Sequence, residues 1–172
     1  MSGELETVLA NTPERRPQAS RMLFAIRAFA FIAVLISAYL TFVSISQHGL
    51  PLGCGSDSGC SEVLRSRWSF LFGLPMGAYA LAVYLAVMGA TIFVSPDRSA
   101  GVQSIGLTLL LAFTASIFLS VMWFVSLQLF VVKAICQWCM ADHLAGLATA
   151  VAILCFWGKT SLATSASPEK RL

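Results

Sequence analysis

The sequence predicts an all-α membrane protein, a four-transmembrane-helix bundle with a loop and a short helix that cap one end. Hydrophobic residues make up 58% of the 172 residues and charged residues only 11%, and the mean hydropathy is +0.81. A soluble globule of this composition would lack a polar surface. Four apolar runs are each long enough to cross a bilayer, which takes about 20 residues. Basic residues lie at the ends of these runs, as topology signals do, and form no stripe that would bind nucleic acid.

The four apolar runs set the expected boundaries of the bundle. Within a transmembrane domain of residues 21–158, we expect spans at about residues 22–46, 74–94, 102–127 and 136–157. The third run continues towards residue 132 and would then tilt or protrude from the bilayer. The first run begins at Met22 and is longer than the apolar core of a signal peptide, so we expect it to stay as an anchor.

Polar segments flank and interrupt the spans. Residues 1–20 are polar and show no amphipathic period, which predicts a disordered tail, and residues 159–172 form a second tail. Residues 47–73 are the longest loop, and the glycines at its start favour irregular structure. We expect a short polar helix in this loop, from Ser61 to Trp68.

The distribution of lysine and arginine predicts that both termini are cytoplasmic. An even number of spans puts the termini on one side, and flanking basic residues favour the cytoplasm. Eight of them lie on the side of the termini: Arg15, Arg16, Arg21, Arg27, Arg98, Lys159, Lys170 and Arg171. Three lie opposite: Arg65, Arg67 and Lys133. The long loop and the start of the fourth span should therefore face the periplasm or a lumen.

Four of the five cysteines fall on this outer side, as two pairs. Cys54 and Cys60 enclose small, flexible residues in the loop, while Cys136 and Cys139 form a Cys-x-x-Cys at the start of the fourth span. At a helix N-terminus, unpaired N–H groups and the helix dipole stabilise a thiolate. Cys139 would lie about 4.5 Å deeper than Cys136, at 1.5 Å per residue. The pattern predicts dithiol–disulfide chemistry by all four cysteines.

Other interpretations of the cysteines remain open at this point. The loop pair alone is typical of a structural disulfide in an oxidising compartment, and four cysteines together suit a Cys₄ zinc site in a non-catalytic membrane subunit. The wide loop spacing and the lack of a second Cys-x-x-Cys argue against zinc, so we assign no metal ligand. Cys155 lies among apolar neighbours near the other end of the span, and we assign it no role.

Two ionisable residues follow the Cys-x-x-Cys by one turn. Asp142 and His143 should project near the face of Cys139, and ionisable groups within a membrane are costly and usually functional. His143 is therefore a candidate for substrate contact, whereas solvation at the membrane surface would account for Asp142. The aromatic residues Trp68 and Phe72 fit an interfacial belt or a cover over an apolar ligand.

The sequence also resembles a known family. The run Cys60-Ser-Glu-Val-Leu-Arg-Ser-Arg-Trp68, followed by Phe72-Gly-Leu-Pro75, is similar to the loop signature of the vitamin K epoxide reductase family. Cys136 and Cys139 fall where that family places its active-site pair. The resemblance covers about residues 22–157. It implies a four-helix bundle that holds a quinone, either ubiquinone or menaquinone (vitamin K), near the Cys-x-x-Cys.

The resemblance also implies roles for particular residues. Electrons would pass from a thioredoxin-fold partner to the loop thiols, then to Cys136 and Cys139, and finally to the quinone. By position, Cys139 would react with the quinone, Cys136 would exchange with a loop cysteine, and Ser66 and Trp68 would support the site. The signature favours quinone contact for Trp68 and Phe72, and His143 is the further candidate contact. Which of Cys54 and Cys60 meets the partner stays open.

Two departures from the animal members favour a bacterial type of enzyme. Animal members have an insertion with a vitamin-binding asparagine where Pro75 here leads directly into the helix, with Met76 near the corresponding place. Their tyrosine four residues after the motif is replaced by His143. We therefore expect a disulfide-generating thiol:quinone oxidoreductase of the inner membrane. Reduction of vitamin K or its epoxide, and an endoplasmic reticulum location, are the alternatives.

The expected partner is a separate protein. Many bacterial relatives carry a fused thioredoxin-like domain, and the segment after Trp157 is too short to fold into one. A DsbA-like dithiol protein would then deliver the electrons.

Overall fold

The computed structural model describes residues 15–46, 51–55, 59–95 and 98–165. Helix α1 spans Arg15–Ser46 and the short helix α2 spans Gly59–Arg65. A 3₁₀ turn, Arg67–Ser69, leads into a two-stranded hairpin of β1 (Phe70–Leu71) and β2 (Leu74–Pro75). Helix α3 is Met76–Phe93, helix α4 is Ala100–Ser126 with a π-helical continuation at Leu127–Val132, and helix α5 is Gln137–Ser165.

Four helical segments in the described part of the chain are long and apolar enough to cross a membrane. They are Gln18–Ser46, Met76–Phe93, Ala100–Val132 and Gln137–Thr160. This confirms the predicted class, an all-α bundle of four transmembrane helices. The third segment has 33 residues, about 50 Å of helix at 1.5 Å per residue, so it exceeds the hydrocarbon layer of about 30 Å as expected.

The four long helices pack in a ring, with α1 against α3 and α5, and α4 against the same two helices from the opposite side. The core contains fully buried aliphatic residues from each helix: Ile26, Val87, Leu110 and Ile153. Large apolar side chains such as Phe24, Phe42 and Leu119 are exposed on the outside of the ring. In a bilayer this outer surface faces lipid, which is as apolar as these side chains and needs no polar cover.

Two helices are longer than the sequence predicted. Helix α1 begins at Arg15, within the expected tail of residues 1–20, because Pro17 falls in the first turn, where its missing N–H is not needed. Helix α5 continues to Ser165, beyond the expected end at Trp157, since no proline interrupts it before Pro168. The remaining parts of the two expected tails, residues 1–14 and 166–172, lie outside the described residues.

The segment between the loop helix and α3 also differs from expectation. The short helix was predicted from Ser61 to Trp68, whereas α2 ends at Arg65 and a separate turn carries Trp68. The second span was predicted from residue 74, but Leu74 and Pro75 pair with β1. The hairpin turn has positive φ at Phe72 (49°) and Gly73 (81°). Phenylalanine is rare in this conformation, which asparagine or glycine usually occupies, so the sequence carried no hairpin signal.

Candidate active site

The outer pair, Cys54 and Cys60, is joined by a disulfide bond, with the Cα atoms 6.2 Å apart. Cys60 is buried at the start of α2, whereas Cys54 is half-buried. The intervening residues 56–58 of the predicted flexible loop lie outside the described residues. Cys54 is thus the more accessible sulfur of the outer pair.

The first part of the loop is held in place by Trp138, which lies within the Cys-x-x-Cys motif. The indole Nε1–H of Trp138 donates a hydrogen bond of 2.9 Å to the carbonyl of Leu52, and the Leu52 N–H donates one of 2.7 Å to the Tyr39 hydroxyl. The rings of Tyr39 and Trp138 also lie against each other, with centroids 4.8 Å apart. Because Leu52 lies two residues before Cys54, these contacts hold the outer pair near the Cys-x-x-Cys.

The second part of the loop packs directly on the backbone that precedes the inner pair, Cys136 and Cys139. A Cβ atom placed on Gly59 would lie 2.8 Å from the Ile135 nitrogen and 3.0 Å from its carbonyl carbon. Only glycine permits this approach. Cys60 and Cys136 are the residues that follow these two contacting positions, so the fold brings the two cysteine pairs together at one end of the bundle.

Cys136 is the N-terminal cap of α5. Its carbonyl accepts the N–H of Met140 at 2.9 Å, and its sulfur accepts the N–H of Cys139 at 3.3 Å, as an N-cap side chain does for the third helical residue. The hydrogen bond with the Cys139 side chain, supported by the backbone N–H groups of Cys139 and Trp138, lowers the pKa of Cys136 and outweighs the effect of burial. These contacts therefore favour the thiolate of Cys136.

Gln128 sets the position of Cys136 from the π-helical segment. Its side-chain Oε1 accepts the Cys136 N–H at 2.8 Å, and its carbonyl accepts the Ala134 N–H at 3.1 Å. Lys133, which lies between Gln128 and Ala134 in the chain, has a left-handed backbone with φ of 56° and an exposed side chain. Gln128 is not among the predicted site residues, although a single amide in the apolar run Leu127–Val132 is a signal in the sequence.

A cavity of about 180 Å³ lies below the loop, between the outer ends of the four helices. Its wall is mostly apolar, from α3 and α4, and α5 contributes Cys139, Asp142 and His143. The 3₁₀ turn with its preceding residue contributes Ser66 and Trp68. Cys136 is fully buried behind this wall and Cys139 is half-buried in it. Cys139, the deeper cysteine of the pair, therefore faces the cavity.

The cover of the cavity is held by local hydrogen bonds. Ser66 donates its hydroxyl hydrogen to the Val63 carbonyl at 2.8 Å, and the Arg67 guanidinium lies 4.9 Å from the centre of the Trp68 ring.

Phe72, in contrast, is 92% exposed at the hairpin tip and does not line the cavity. The expected contact of Phe72 with a quinone is therefore not supported, because the hairpin turns this ring away. Met76 does line the cavity.

His143 presents an unsatisfied polar atom to the cavity wall. Its Nε2 is buried and has no hydrogen-bond partner among the described residues, and its ring stacks on Phe124 with centroids 6.2 Å apart. Buried polar atoms are normally paired, so an unpaired one indicates a missing partner such as a ligand oxygen.

Asp142 is buried, with 6% of its surface exposed, which the sequence analysis did not expect. The Ser37 hydroxyl donates a hydrogen bond of 2.9 Å to its Oδ1 and joins α1 to α5. Hydrogen bonds between helices in a membrane average about 0.6 kcal/mol, whereas placing an aspartate at the centre of a span costs about 2.5 to 3.5 kcal/mol. Near the end of a span the cost is smaller, but stability alone is a weak reason for this carboxyl.

The arrangement of the remaining candidate residues does not resemble a metal centre. In the described ranges, no three histidine, cysteine, aspartate or glutamate side chains are grouped as metal ligands would be, and Cys54 is bonded to Cys60. Cys155 is exposed on α5 and does not line the cavity.

The fold and the site together define a class: a multi-pass membrane protein with two adjacent cysteine pairs, one of which faces a cavity among the helices. Residues 24–156 match the vitamin K epoxide reductase family. The match covers most of the chain, so the protein belongs to this family, and the resemblance drawn from its loop is confirmed. It is accordingly a membrane oxidoreductase that works through cysteines and is related to quinone chemistry.

Proposed function

We propose that the protein is a disulfide-generating thiol:quinone oxidoreductase. Electron pairs pass from a thioredoxin-fold dithiol partner to Cys54 and Cys60, then to Cys136 and Cys139, and then to a quinone in the cavity. The observation that carries the proposal is the packing of Gly59 on Ile135, because it places the outer pair beside the inner pair while Cys139 faces the cavity.

The burial of the two loop cysteines supports the order of exchange. Half-buried Cys54 is the one that a partner thiolate reaches, whereas Cys60 is buried beside the inner pair. The partner thiolate attacks Cys54, Cys60 leaves as a thiolate, and the second partner thiol releases the partner as a disulfide. The pair Cys54 and Cys60 is then a dithiol.

The second exchange regenerates the outer disulfide. The Cys60 thiolate attacks Cys136 of the oxidised inner pair, and Cys139 leaves as a thiolate. Cys54 then attacks Cys60, which restores the outer disulfide and leaves Cys136 reduced. The exchange ends with an oxidised outer pair and a reduced inner pair, which is the state that would deliver electrons to the cavity.

The cavity fits the ring of a quinone. An apolar cavity of about 150 Å³ holds a benzene-sized ring, and this cavity of about 180 Å³ adds a polar contact at His143 Nε2. A quinone supplies a two-electron, two-proton acceptor for the oxidation of the inner dithiol. His143 and the apolar wall would orient the ring, and Trp68 would close the cavity towards the aqueous side.

The predicted orientation supports a periplasmic site. The excess of basic residues on the side of the termini supports a position of the cysteine pairs outside the cytoplasm, where proteins form stable disulfides. We propose the inner membrane as the location and a DsbA-like protein as the partner.

Anaerobic mixing tests the proposed function. The oxidised, purified protein is mixed with a quinone and a reduced thioredoxin-fold dithiol protein, and quinone absorbance is followed. We expect quinone reduction in the wild type and none with Cys136→Ser or Cys139→Ser. Wild-type protein that leaves the absorbance unchanged and contains stoichiometric zinc would instead support a metal-binding subunit. Supplying vitamin K epoxide with a dithiol tests the alternative substrate.

A pair of aromatic variants tests the cavity itself. Trp68 lines the cavity and Phe72 does not, so Trp68→Ala should raise the KM for quinone while Phe72→Ala should leave it unchanged. The reverse result would place the quinone against the hairpin.

A further inference from the structure

The relay described above leaves one buried carboxyl without a role. Asp142 lines the cavity beside Cys139 and His143, and it lies one helical turn beyond Cys139, so their side chains share a face of α5. Ionisable side chains within membrane spans are rare and mark proton or substrate pathways. Asp142 is therefore a candidate for the protons that accompany the electrons.

The carboxyl is held in one orientation by α1. Ser37 is fully buried, and its hydroxyl donates to Asp142 Oδ1 at 2.9 Å. The Ser37 carbonyl in turn accepts the Thr41 hydroxyl at 2.7 Å. A Cβ atom on Gly77 would lie 3.2 Å from the Ser37 carbonyl oxygen, so α3 presses on this turn of α1. These contacts fix the donor and, through it, the carboxyl.

A purely structural role would not require an acid. The Ser37 hydroxyl would bond equally well to an asparagine carbonyl, which carries no charge into the membrane. The property that aspartate adds is the reversible binding of a proton. A carboxylate beside a buried thiol can accept the proton that the thiol loses when it is oxidised.

The other titratable groups around the cavity do not replace this function. Tyr84 and Tyr79 line it from α3, and Cys139 and His143 line it from α5. The lining residues of α4 and the π-helical segment, among them Ser116, Ser120 and Gln128, do not titrate, and none of the described lining residues is lysine or arginine. Asp142 is thus the one carboxyl among the described lining residues, and it lies on the same face of α5 as Cys139.

We propose that Asp142, oriented by Ser37, carries the proton of Cys139 to the electron acceptor. When the inner dithiol is oxidised, two S–H bonds break, one S–S bond forms, and two electrons and two protons leave. The carboxylate of Asp142 takes the Cys139 proton and then gives it to a quinone oxygen. Cys136 reacts as the thiolate, so its proton has already passed to the aqueous side, and the second quinol proton is drawn from there. The proposal rests on the proposed function.

Kinetics of Asp142→Asn test the proton transfer, because asparagine keeps the shape and the hydrogen bond from Ser37 but cannot carry a proton. With dithiothreitol as the reductant and a short-chain ubiquinone as the acceptor, we expect kcat to fall by about a hundred-fold and its pH profile to change. The KM for quinone and the reduction of Cys54–Cys60 should stay near the wild-type values. Asp142→Glu should restore part of the rate.

A matched control removes a carboxyl elsewhere. Glu62 is exposed on α2 and does not line the cavity, so Glu62→Gln should leave kcat and its pH profile unchanged. An Asp142→Asn protein with the kcat and pH profile of the wild type would overturn the proposal.

An infrared measurement tests the same step without quinone. Difference spectra between the oxidised and reduced inner pair should contain a carboxyl band that is absent in Asp142→Asn and shifted in Ser37→Ala. A wild-type spectrum without a carboxyl band would overturn the proposal even if Asp142→Asn fails to fold. If wild-type protein fails to reduce quinone but shows the band, the proposed acceptor is wrong and the proton exchange stands.

Discussion

Cys136 combines a structural and a chemical role in one side chain. Its sulfur accepts the N–H of Cys139 at the first turn of α5, and its own N–H is fixed by Gln128 at 2.8 Å. The hydrogen bond with the Cys139 side chain is the largest cause of the lowered pKa of Cys136, and the backbone N–H groups at the helix end lower it further. Helix capping therefore contributes to thiol activation, and the neighbouring cysteine side chain contributes more.

The pH dependence of alkylation tests the contribution of the Cys139 side chain to the lowered pKa of Cys136. A lowered pKa keeps Cys136 ionised, and reactive, as the pH falls below the range in which an ordinary thiol is protonated. In a reduced protein with Cys54, Cys60 and Cys155 replaced by alanine, Cys139→Ser retains a side-chain donor and Cys139→Ala removes it. We expect the alkylation midpoint of Cys136 to lie at higher pH in Cys139→Ala. Identical midpoints would show that the side chain of Cys139 does not lower the pKa of Cys136.

At the scale of elements, α2 is seated on the backbone that precedes α5. Gly59 makes this contact with Ile135, whereas a Cβ atom on Gly55 would meet nothing within 4 Å. The loop is thus tightly packed at one glycine and open at the other. In the proposed relay, the transfer of electrons between the pairs depends on the contact at Gly59.

Glycine substitutions test the seating of α2. Gly59→Ala would force the two backbones apart, and overpacking of this kind typically costs about 1–3 kcal/mol. We expect lower thermal stability and slower reduction of the inner pair by the outer pair, measured by stopped-flow with dithiothreitol. Gly55→Ala is the matched control and should behave as the wild type. Equal rates in both variants would contradict the role of this contact.

At the scale of the whole molecule, the outer surface of the bundle is apolar and the candidate site lies at one end. Both cysteine pairs and the cavity lie at the end where α1 finishes and α5 begins. Arg27 and Thr91 join α1 to α3 at the other end, through a hydrogen bond of 2.9 Å between Arg27 Nε and the Thr91 hydroxyl. The distribution of basic residues predicts that this other end is cytoplasmic.

Single-cysteine labelling tests the orientation. Glu62 and Ser99 are both exposed, at opposite ends of the bundle, so a cysteine at either position is open to reagent. In a background without other cysteines, a membrane-impermeant maleimide added to intact cells should label Glu62→Cys and not Ser99→Cys. Permeabilised cells, in which both should react, provide the control. Labelling of Ser99→Cys alone would show that the orientation is the opposite of the predicted one.

The sequence determined the four spans, the pairing of cysteines at one end and the family. Hydropathy decides the spans because a membrane requires about 20 contiguous apolar residues, and the spacing of Cys136 and Cys139 fixes their order along a helix whatever surrounds it. The loop signature from Cys60 to Trp68 is also contiguous. Properties of this kind depend on neighbours in the chain, so they can be predicted from it.

Only the tertiary structure decided which side chains meet. Ser37 and Asp142 are 105 residues apart in the chain, and Leu52 and Trp138 are 86 apart, so no local pattern indicates either contact. The sequence also could not show that Phe72 turns away from the cavity or that Asp142 is buried. Burial and hydrogen bonding depend on how separate helices pack. A close contact such as that of Gly59 with Ile135 can be recognised only when the positions of both backbones are known.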